Sequence, residues 1–298
     1  MAKIIECIPN FSEGRNQAVL DRLAACARSV PGVTLLDYSG DESHNRSVYT
    51  LIGSPEGIAE AAFSLAKTAS ELIDLTKHIG EHPRMGAADV IPFVPIREAT
   101  SADCVEISKA VGARIGKELG IPVFLYEDSC TAEHRRNLAG VRKGQFEGMP
   151  EKLKMPEWAP DFGPREVHPT AGAVAVGARI PLVAFNVNLS TSDVSIADKI
   201  AKVVRGSGGG LKYCKAIGVL LKERNTAQVS MNMVHYEGTP LYRAVELIRV
   251  EAARYGVGII GTELIGLSPA KALIDCAEYY LQIENFDYKK QVLENYLL

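Results

Sequence analysis

Pro156-Glu-Trp-Ala-Pro-Asp-Phe-Gly-Pro-Arg-Glu-Val-His-Pro-Thr-Ala-Gly172 interrupts the chain, and after it the pattern of strands and helices begins again. It carries four prolines, two glycines and the single tryptophan. Proline removes a backbone donor and fixes φ, so this density excludes regular structure, while the apolar content is too high for a free linker. Upstream, Lys3 to Ile8 reads as a strand and Asn16 to Ser29 as a helix, with Val19, Leu20, Leu23 and Ala24 at helical spacing. Val33 to Tyr38 and Arg46 to Ile52 read as a hairpin around a polar turn. Ser54-Pro55 opens a helix that runs to about Lys77, since Ser can cap and Pro suits the first turn. An apolar strand, Val90 to Ile96, closes the set, followed by a helix from Thr100 to Gly120 and a short strand from Ile121 to Tyr126. Residues 130–156 are charged and predict surface helix.

Downstream, Leu182 to Asn188 predicts a strand and Thr191 to Arg205 a helix. Ala216 to Lys222 and Gln228 to His235 predict a strand pair, Thr239 to Tyr255 a helix, Val257 to Ile265 a strand and Pro269 to Tyr280 a helix. Each half therefore gives strand, helix, two strands, helix, strand. That is the ferredoxin-like β-α-β-β-α-β unit, with helices on one face of a mainly antiparallel sheet and the other face free. The expected fold is α+β, two such subdomains over residues 1–180 and 181–298, with a ligand groove between them.

The totals narrow the function. The chain has 298 residues, 47% of them hydrophobic, and a net charge of -3, so no global basic surface asks for nucleic acid or an anionic membrane. Six scattered cysteines without a CxxC pair fit reduced thiols and argue against a zinc site or a disulfide framework. The first ten residues are too short and polar for a signal peptide, and no apolar run approaches a membrane span. These features predict a soluble cytoplasmic protein.

Chemistry concentrates in His78-Ile-Gly-Glu-His-Pro-Arg-Met-Gly-Ala-Ala-Asp89, between the second helix and the strand after it. Such a connection is usually short and bland. Pro83 stiffens the backbone at His82, which has Glu81 beside it and Arg84 two residues on. A stiff imidazole among charges suits general acid/base work, whereas His78 suits a helix C-terminus, where it would satisfy the last carbonyls. Asp37, Asp41, Glu42, His44, Asn45 and Arg46 crowd the hairpin turn and read first as a solvated turn, with Asn45 and Arg46 on opposite faces so that one of them reaches the cleft. Arg46 and Arg84 offer planar forks for a carboxylate. Asn186 and Asn188 alternate onto one strand face, where their amides need either a sheet partner or a ligand. Gly206 to Gly210 with Lys212 resembles a phosphate cradle but lacks the order of a P-loop, and reads better as a mobile loop. His134, His168 and His235 show no metal-ligand spacing.

Five stretches then stand in one order: Glu6-Cys-Ile-Pro-Asn-Phe-Ser-Glu-Gly14, Asn45-Arg-Ser-Val-Tyr-Thr50, Gly80-Glu-His-Pro-Arg-Met-Gly-Ala87, Trp158-Ala-Pro-Asp-Phe-Gly-Pro164 and Ala184-Phe-Asn-Val-Asn-Leu189. In these the chain resembles the formiminotransferase family over essentially its whole length. The resemblance implies transfer of a formimino group from N-formimino-L-glutamate to N5 of tetrahydrofolate in histidine breakdown and one-carbon metabolism. It implies a homodimer of two-lobed subunits, tetrahydrofolate as co-substrate and no metal. It makes His82 the acid/base. The chemistry of that transfer then asks for a single imidazole near neutrality, tuned by Glu81 or Asp37, with Arg46, Arg84 or His44 on the glutamate carboxylates. The resemblance assigns folate binding to Gly163-Pro164-Arg165-Glu166-Val167-His168-Pro169-Thr170-Ala171-Gly172. Animal members continue into a cyclodeaminase domain, so ring closure is expected from a separate protein here. The rival expectations are hydrolysis of the same amidine by water, and reduced-folate binding without catalysis.

Overall fold

A computed structural model describes residues 2–42, 44–80 and 82–296. The chain forms two compact units, Met1–Arg179 and Ile180–Leu298. In the first, β1 (Ile4–Cys7) and β2 (Asn10–Phe11) act as one interrupted strand between β4 (Arg46–Gly53) and β5 (Ala88–Arg97), antiparallel to both. α1 (Gln17–Arg28) leads to β3 (Val33–Asp41), which pairs antiparallel with β4. α2 (Pro55–Leu72) connects β4 to β5. This is the ferredoxin-like order.

The hydrophobic pattern sets the layers. Ile5, Cys7, Phe11, Tyr49, Leu51, Ile91 and Phe93 project from the sheet into one core with Leu23 of α1 and Ile58 and Leu65 of α2. Ser54 caps α2 by accepting from the Gly57 amide, as its sequence predicts. The helix stops at Leu72, however, because Ile73 is extended; Asp74 then caps a separate turn over Leu75–Lys77.

Three features go beyond the expected unit. α3 (Ser101–Glu118) is followed by β6 (Val123–Glu127), and a strand missed in the sequence, β7 (Val174–Ala178), inserts between β5 and β6 and is parallel to both. β7 is a continuous run of small and apolar residues without alternation, as befits a strand buried on both faces. The charged stretch 130–156 is helical and largely exposed, as expected, but it also has an inner face. It forms α4 (Leu138–Arg142) and α5 (Gln145–Lys154), whose Val141, Met149 and Leu153 pack with Met85, Val90, Phe124 and Tyr126. Val90 and Phe124 neighbour residues of the first core, so these two helices cover the second face of the sheet, which was expected to be free.

The second unit runs β8 (Val183–Leu189), α6 (Val194–Val204), β9 (Cys214–Leu221), β10 (Thr226–Met233), α7 (Leu241–Ala253), β11 (Ile259–Ile265) and α8 (Ala270–Leu281). Its antiparallel sheet has the order β11-β8-β10-β9, again ferredoxin-like. Gly206–Gly210 is neither cradle nor loose loop. It turns tightly against the end of α6, with Leu211 N donating to Val204 O at 2.8 Å, and a Cβ on Gly210 would meet Val203 O at 2.0 Å. Among the described residues no helix is long and apolar enough to cross a membrane.

Candidate active site

The loop between α2 and β5 is built into its neighbours at both ends. His78 Nε2 donates to Asn45 O at 2.9 Å and leaves Nδ1 to accept from Arg84 Nε at 3.1 Å. His78 thus joins two loops instead of finishing a helix. Asn45 adopts a left-handed φ of 48°, a conformation Asn tolerates. Its side chain accepts from Gly14 N at 2.9 Å and donates to Ile79 O at 3.0 Å. At the far end Ser12 donates twice, from N to Ala87 O at 2.9 Å and from Oγ to Gly86 O at 2.7 Å. The stretches around Asn10, Asn45 and His82, far apart in sequence, therefore fold as one assembly.

His82 sits in this frame with Nδ1 2.7 Å from Pro83 O. A carbonyl can only accept, so Nδ1 carries the hydrogen and Nε2 keeps its lone pair. Burial, and then the positive charges of Arg46 and Arg142, press the imidazole down to about 4, while Asp89 opposes them. This lies below the near-neutral imidazole expected from the sequence and favours the neutral ring with a free Nε2. Asp37 has no part in this. It pairs with Thr50, four residues along β4 from Arg46, which is roughly 13 Å at strand spacing. The expected tuning role of Glu81 lies outside the described residues. His44 does approach, with its ring centroid 6.2 Å from that of His82 and its Nδ1 2.9 Å from Asp41 Oδ2.

Behind His82 lies an ionic cluster. Asp89 is fully buried. Its Oδ1 accepts from Met85 N at 2.8 Å, and its Oδ2 takes Arg46 Nη1 at 2.8 Å and Arg142 Nη2 at 2.6 Å. Burial alone would raise this carboxyl, but Arg142 and Arg46 hold it below the usual carboxylate range. Arg46 spends Nε and Nη2 on Asn10 Oδ1, at 3.2 and 2.9 Å. Arg84 is likewise committed, with a two-pronged pair to Glu147 at 2.8 and 2.6 Å. The two arginines read as free forks in the sequence both have internal carboxylate partners.

α4 and α5 deliver Arg142 and Glu147, and Lys152 fixes their geometry. Its ammonium donates to Gly140 O, Val141 O and Lys143 O at 2.8, 2.6 and 3.1 Å, and lies 3.8 Å from the centre of a Trp158 ring. Burial, helped by Lys143, lowers it to about 8. The Pro-rich connector is pinned in turn. Buried Arg135 and half-buried Asp161 pair at 3.0 Å, and Asp161 also accepts from Leu125 N at 2.8 Å. Further on, Ala171 O accepts from Ala87 N and Ala173 N donates to Met85 O, both at 2.9 Å. The connector thus runs directly along the His82 loop. Gly172 makes this approach feasible: its φ is 71°, and a Cβ there would meet Met85 O at 2.2 Å.

With this geometry in place, comparison with known proteins is decisive. Residues 4–179 match the model of the formiminotransferase domain, N-terminal subdomain, and residues 184–294 that of the formiminotransferase domain. The chain belongs to the formiminotransferase family. It is 70% identical over 298 residues to a glutamate formimidoyltransferase of Streptococcus pyogenes serotype M1, covering all of both chains. It is 47% identical to a glutamate formimidoyltransferase of Thermoplasma acidophilum, covering 95% of this chain and 94% of that one. A formimidoyltransferase-cyclodeaminase of Dictyostelium discoideum is 45% identical, over 96% of this chain and 54% of its own length.

The motifs carrying the family likeness divide by role. Trp158, Asp161 and Phe162 serve structure: Phe162 packs under Gly112 of α3, and Asp161 ties the connector to β6. Within Gly163–Gly172, Arg165 turns back on the end of α5, donating to Leu153 O and Met155 O at 3.1 and 3.2 Å. His168 Nδ1 accepts from Ala171 N at 3.0 Å. Gly163, Pro164, Glu166 and Pro169 are exposed, Val167 and Thr170 half-buried, and Ala171 buried. In the second unit Asn188 is buried, accepting from Gln228 at 2.8 Å and donating to Glu263 at 3.1 Å. Asn186 accepts from Met231 N at 3.4 Å. Asn188 thus finds its partners within its own sheet. Asp89 and Arg142 escaped the sequence reading. Asp89 opens an apolar strand, a signal that was available; Arg142 lies in a basic run that composition alone assigns to solvent. Among the described residues no cluster of three or more His, Cys, Asp and Glu could hold a metal ion.

Proposed function

We propose that this chain transfers the formimino group of N-formimino-L-glutamate to N5 of tetrahydrofolate, giving 5-formiminotetrahydrofolate and L-glutamate, with His82 as the proton carrier. Family membership supports the reaction. The observation that carries the role of His82 is its tautomer, with Nδ1 committed to Pro83 O and Nε2 left as a base. N5 adds to the amidine carbon to form a tetrahedral centre, and its proton passes to Nε2. The C–N bond to glutamate then breaks, and the leaving nitrogen takes that proton back. Nothing is gained or lost at the imidazole over the cycle. Arg46 and Arg142 disfavour an imidazolium and so favour delivery to the leaving nitrogen. Holding two substrates in register supplies much of the remaining rate. The exposed residues Gly163, Pro164, Glu166 and Pro169 are proposed as the folate contacts, and a cytoplasmic homodimer as the working form.

The test is purified protein with N-formimino-L-glutamate, with and without tetrahydrofolate, for wild type and His82→Ala. Transfer should require tetrahydrofolate, and kcat should fall by about 10²–10⁴-fold in the variant. Glutamate released at the same rate without folate would make the chain a hydrolase. A loss under about tenfold, with folate binding retained, would remove His82 from its role.

A further inference from the structure

A sheet edge offers unpaired backbone donors and acceptors to any other strand, and proteins blunt it with charge, with cover or by keeping it short. Among the described residues the two sheets have four edges, and three are blunted. The connector covers β6, with Val123 N donating to Phe162 O at 2.9 Å and Leu125 N to Asp161 Oδ2 at 2.8 Å. β3 carries the exposed Asp37 and Asp41. β9 carries the exposed Lys215, and its Gly218 N donates to Asp198 Oδ1 at 3.1 Å. β11 is the fourth edge and pairs only with β8 among the described residues. It reads Ile259-Ile-Gly-Thr-Glu-Leu-Ile265, without Lys or Pro. Its one charge, Glu263, turns onto its own sheet, accepting from Asn188 at 3.1 Å and Gln228 at 3.0 Å and pairing with Arg224. Apolar exposure gathers at the same place: Ile260, Leu264, Ile265, Leu267, Leu273 and Leu281 are 38–70% exposed. At roughly 150–200 Å² for a wholly exposed large side chain, these present on the order of 500 Å² per copy, most of the about 800 Å² that each partner gives to a standard interface.

We propose that β11 is the self-association edge of this chain, pairing antiparallel with β11 of a second copy so that two four-stranded sheets join into one of eight. This rests on the homodimer reading above and names the face that makes it. Symmetry and charge select the occupant. An antiparallel pair of identical strands has a two-fold axis, so every contact is made twice. Centring the pair on Thr262 sets Ile260 against Leu264 of the second copy, Thr against Thr, and Glu263 against Gly261. Centring it one residue further would set Glu263 against its own copy, and like charges directly opposite are destabilising. Thr262 and Leu264 stand opposite Val187 and Phe185 of β8, so they share the face that carries the core. Joined there, the apolar rims of two cores cover each other. A foreign strand would find the same backbone groups but not this reciprocal match.

Light scattering on the full chain over a dilution series reads the assembly state. Wild type should be a dimer. Ile260→Lys should weaken it about 100-fold or more, because two interface contacts, each worth about tenfold, are lost per dimer. The same change on the two other exposed edges, Leu36→Lys in β3 and Ile217→Lys in β9, should leave the dissociation constant within about threefold. All three side chains are exposed in the single chain, so subunit folding is not at stake. A second variant fixes the register. Thr262→Cys should give a covalent dimer on oxidation, because directly opposed Cα atoms of an antiparallel pair lie about 4.5–5.5 Å apart, within disulfide reach. Wild type under the same oxidant, with its six native cysteines, is the control. An unchanged dimer in Ile260→Lys, or no crosslink beyond wild type in Thr262→Cys, would overturn the proposal. If Leu36→Lys or Ile217→Lys alone splits the dimer, the homodimer stands and the β11 face is wrong. A wild type that is monomeric at every concentration removes both, whereas folate-dependent formimino transfer, assayed separately, decides the reaction.

Discussion

Replacing Asp89 by Asn should destabilise the first unit far more than any surface charge change. The size follows from the geometry. Asp89 Oδ2 lies 2.8 Å from Arg46 Nη1 and 2.6 Å from Arg142 Nη2, so these two nitrogens are at most about 5.4 Å apart. Without the carboxylate charge they repel with at least about 3 kcal/mol at an effective dielectric near 20. Breaking a buried pair by removing one partner costs about 3–5 kcal/mol in general, so two routes agree. For a unit of this size that lowers the melting temperature by about 6–20 °C. Thermal melts followed by fluorescence of Trp158, the single tryptophan, read the first unit directly. The sign of the pH dependence is fixed too. The folded carboxyl lies below its unfolded value, so its contribution is full above about 3.9 and is lost as pH falls through the depressed folded value. The gap between wild type and Asp89→Asn should therefore narrow on acidification. A variant that melts within about 3 °C of wild type at pH 7, or a gap that stays constant below pH 4, would refute the cluster's stabilising role.

Three further outcomes are expected. Lys152 has a lowered ammonium pKa of about 8 against the Trp158 ring, so wild-type Trp fluorescence should change with a midpoint near pH 8; Lys152→Met should abolish that transition. In stability, this Lys contributes a rise with pH between about 8 and 10.4, because the unfolded chain binds the extra proton there; denaturant melts across that window check the sign. Gly172→Ala should cost about 1–3 kcal/mol from left-handed strain and more from the Met85 clash, and should slow turnover by disturbing the His82 loop; Gly209→Ala, with φ 86° and open space around it, serves as the strain-only comparison in the same melts.

What was legible depended on the range of the interaction that decides it. Helix starts were readable because caps are local: Ser54 before Pro55 and Thr100 before Ser101 hydrogen-bond within one turn. The repeated strand-helix pattern gave both ferredoxin-like sheets because periodicity reports which face is buried. β7 was missed because a strand inside a parallel pair buries both faces and loses its alternation. Helix was expected where α4 and α5 form, but not their inward face. Their charges are real, but Val141, Met149 and Leu153 turn inward, and helices this short give little period to read.

His82 could be singled out from sequence because a Pro-braced imidazole among charges is unusual in any connection. The chemistry of residues 78–89 and the five family stretches were likewise carried by local residue order. The partners of these residues were not. That Arg46 and Arg84 already hold Asp89 and Glu147, that Arg165 closes a helix end, and that Arg142 arrives from a basic run to meet Asp89 are matters of long-range packing. Sequence states which ionisable groups exist. Only the folded chain sets their burial and distances, and these hold the His82 imidazole in its neutral form.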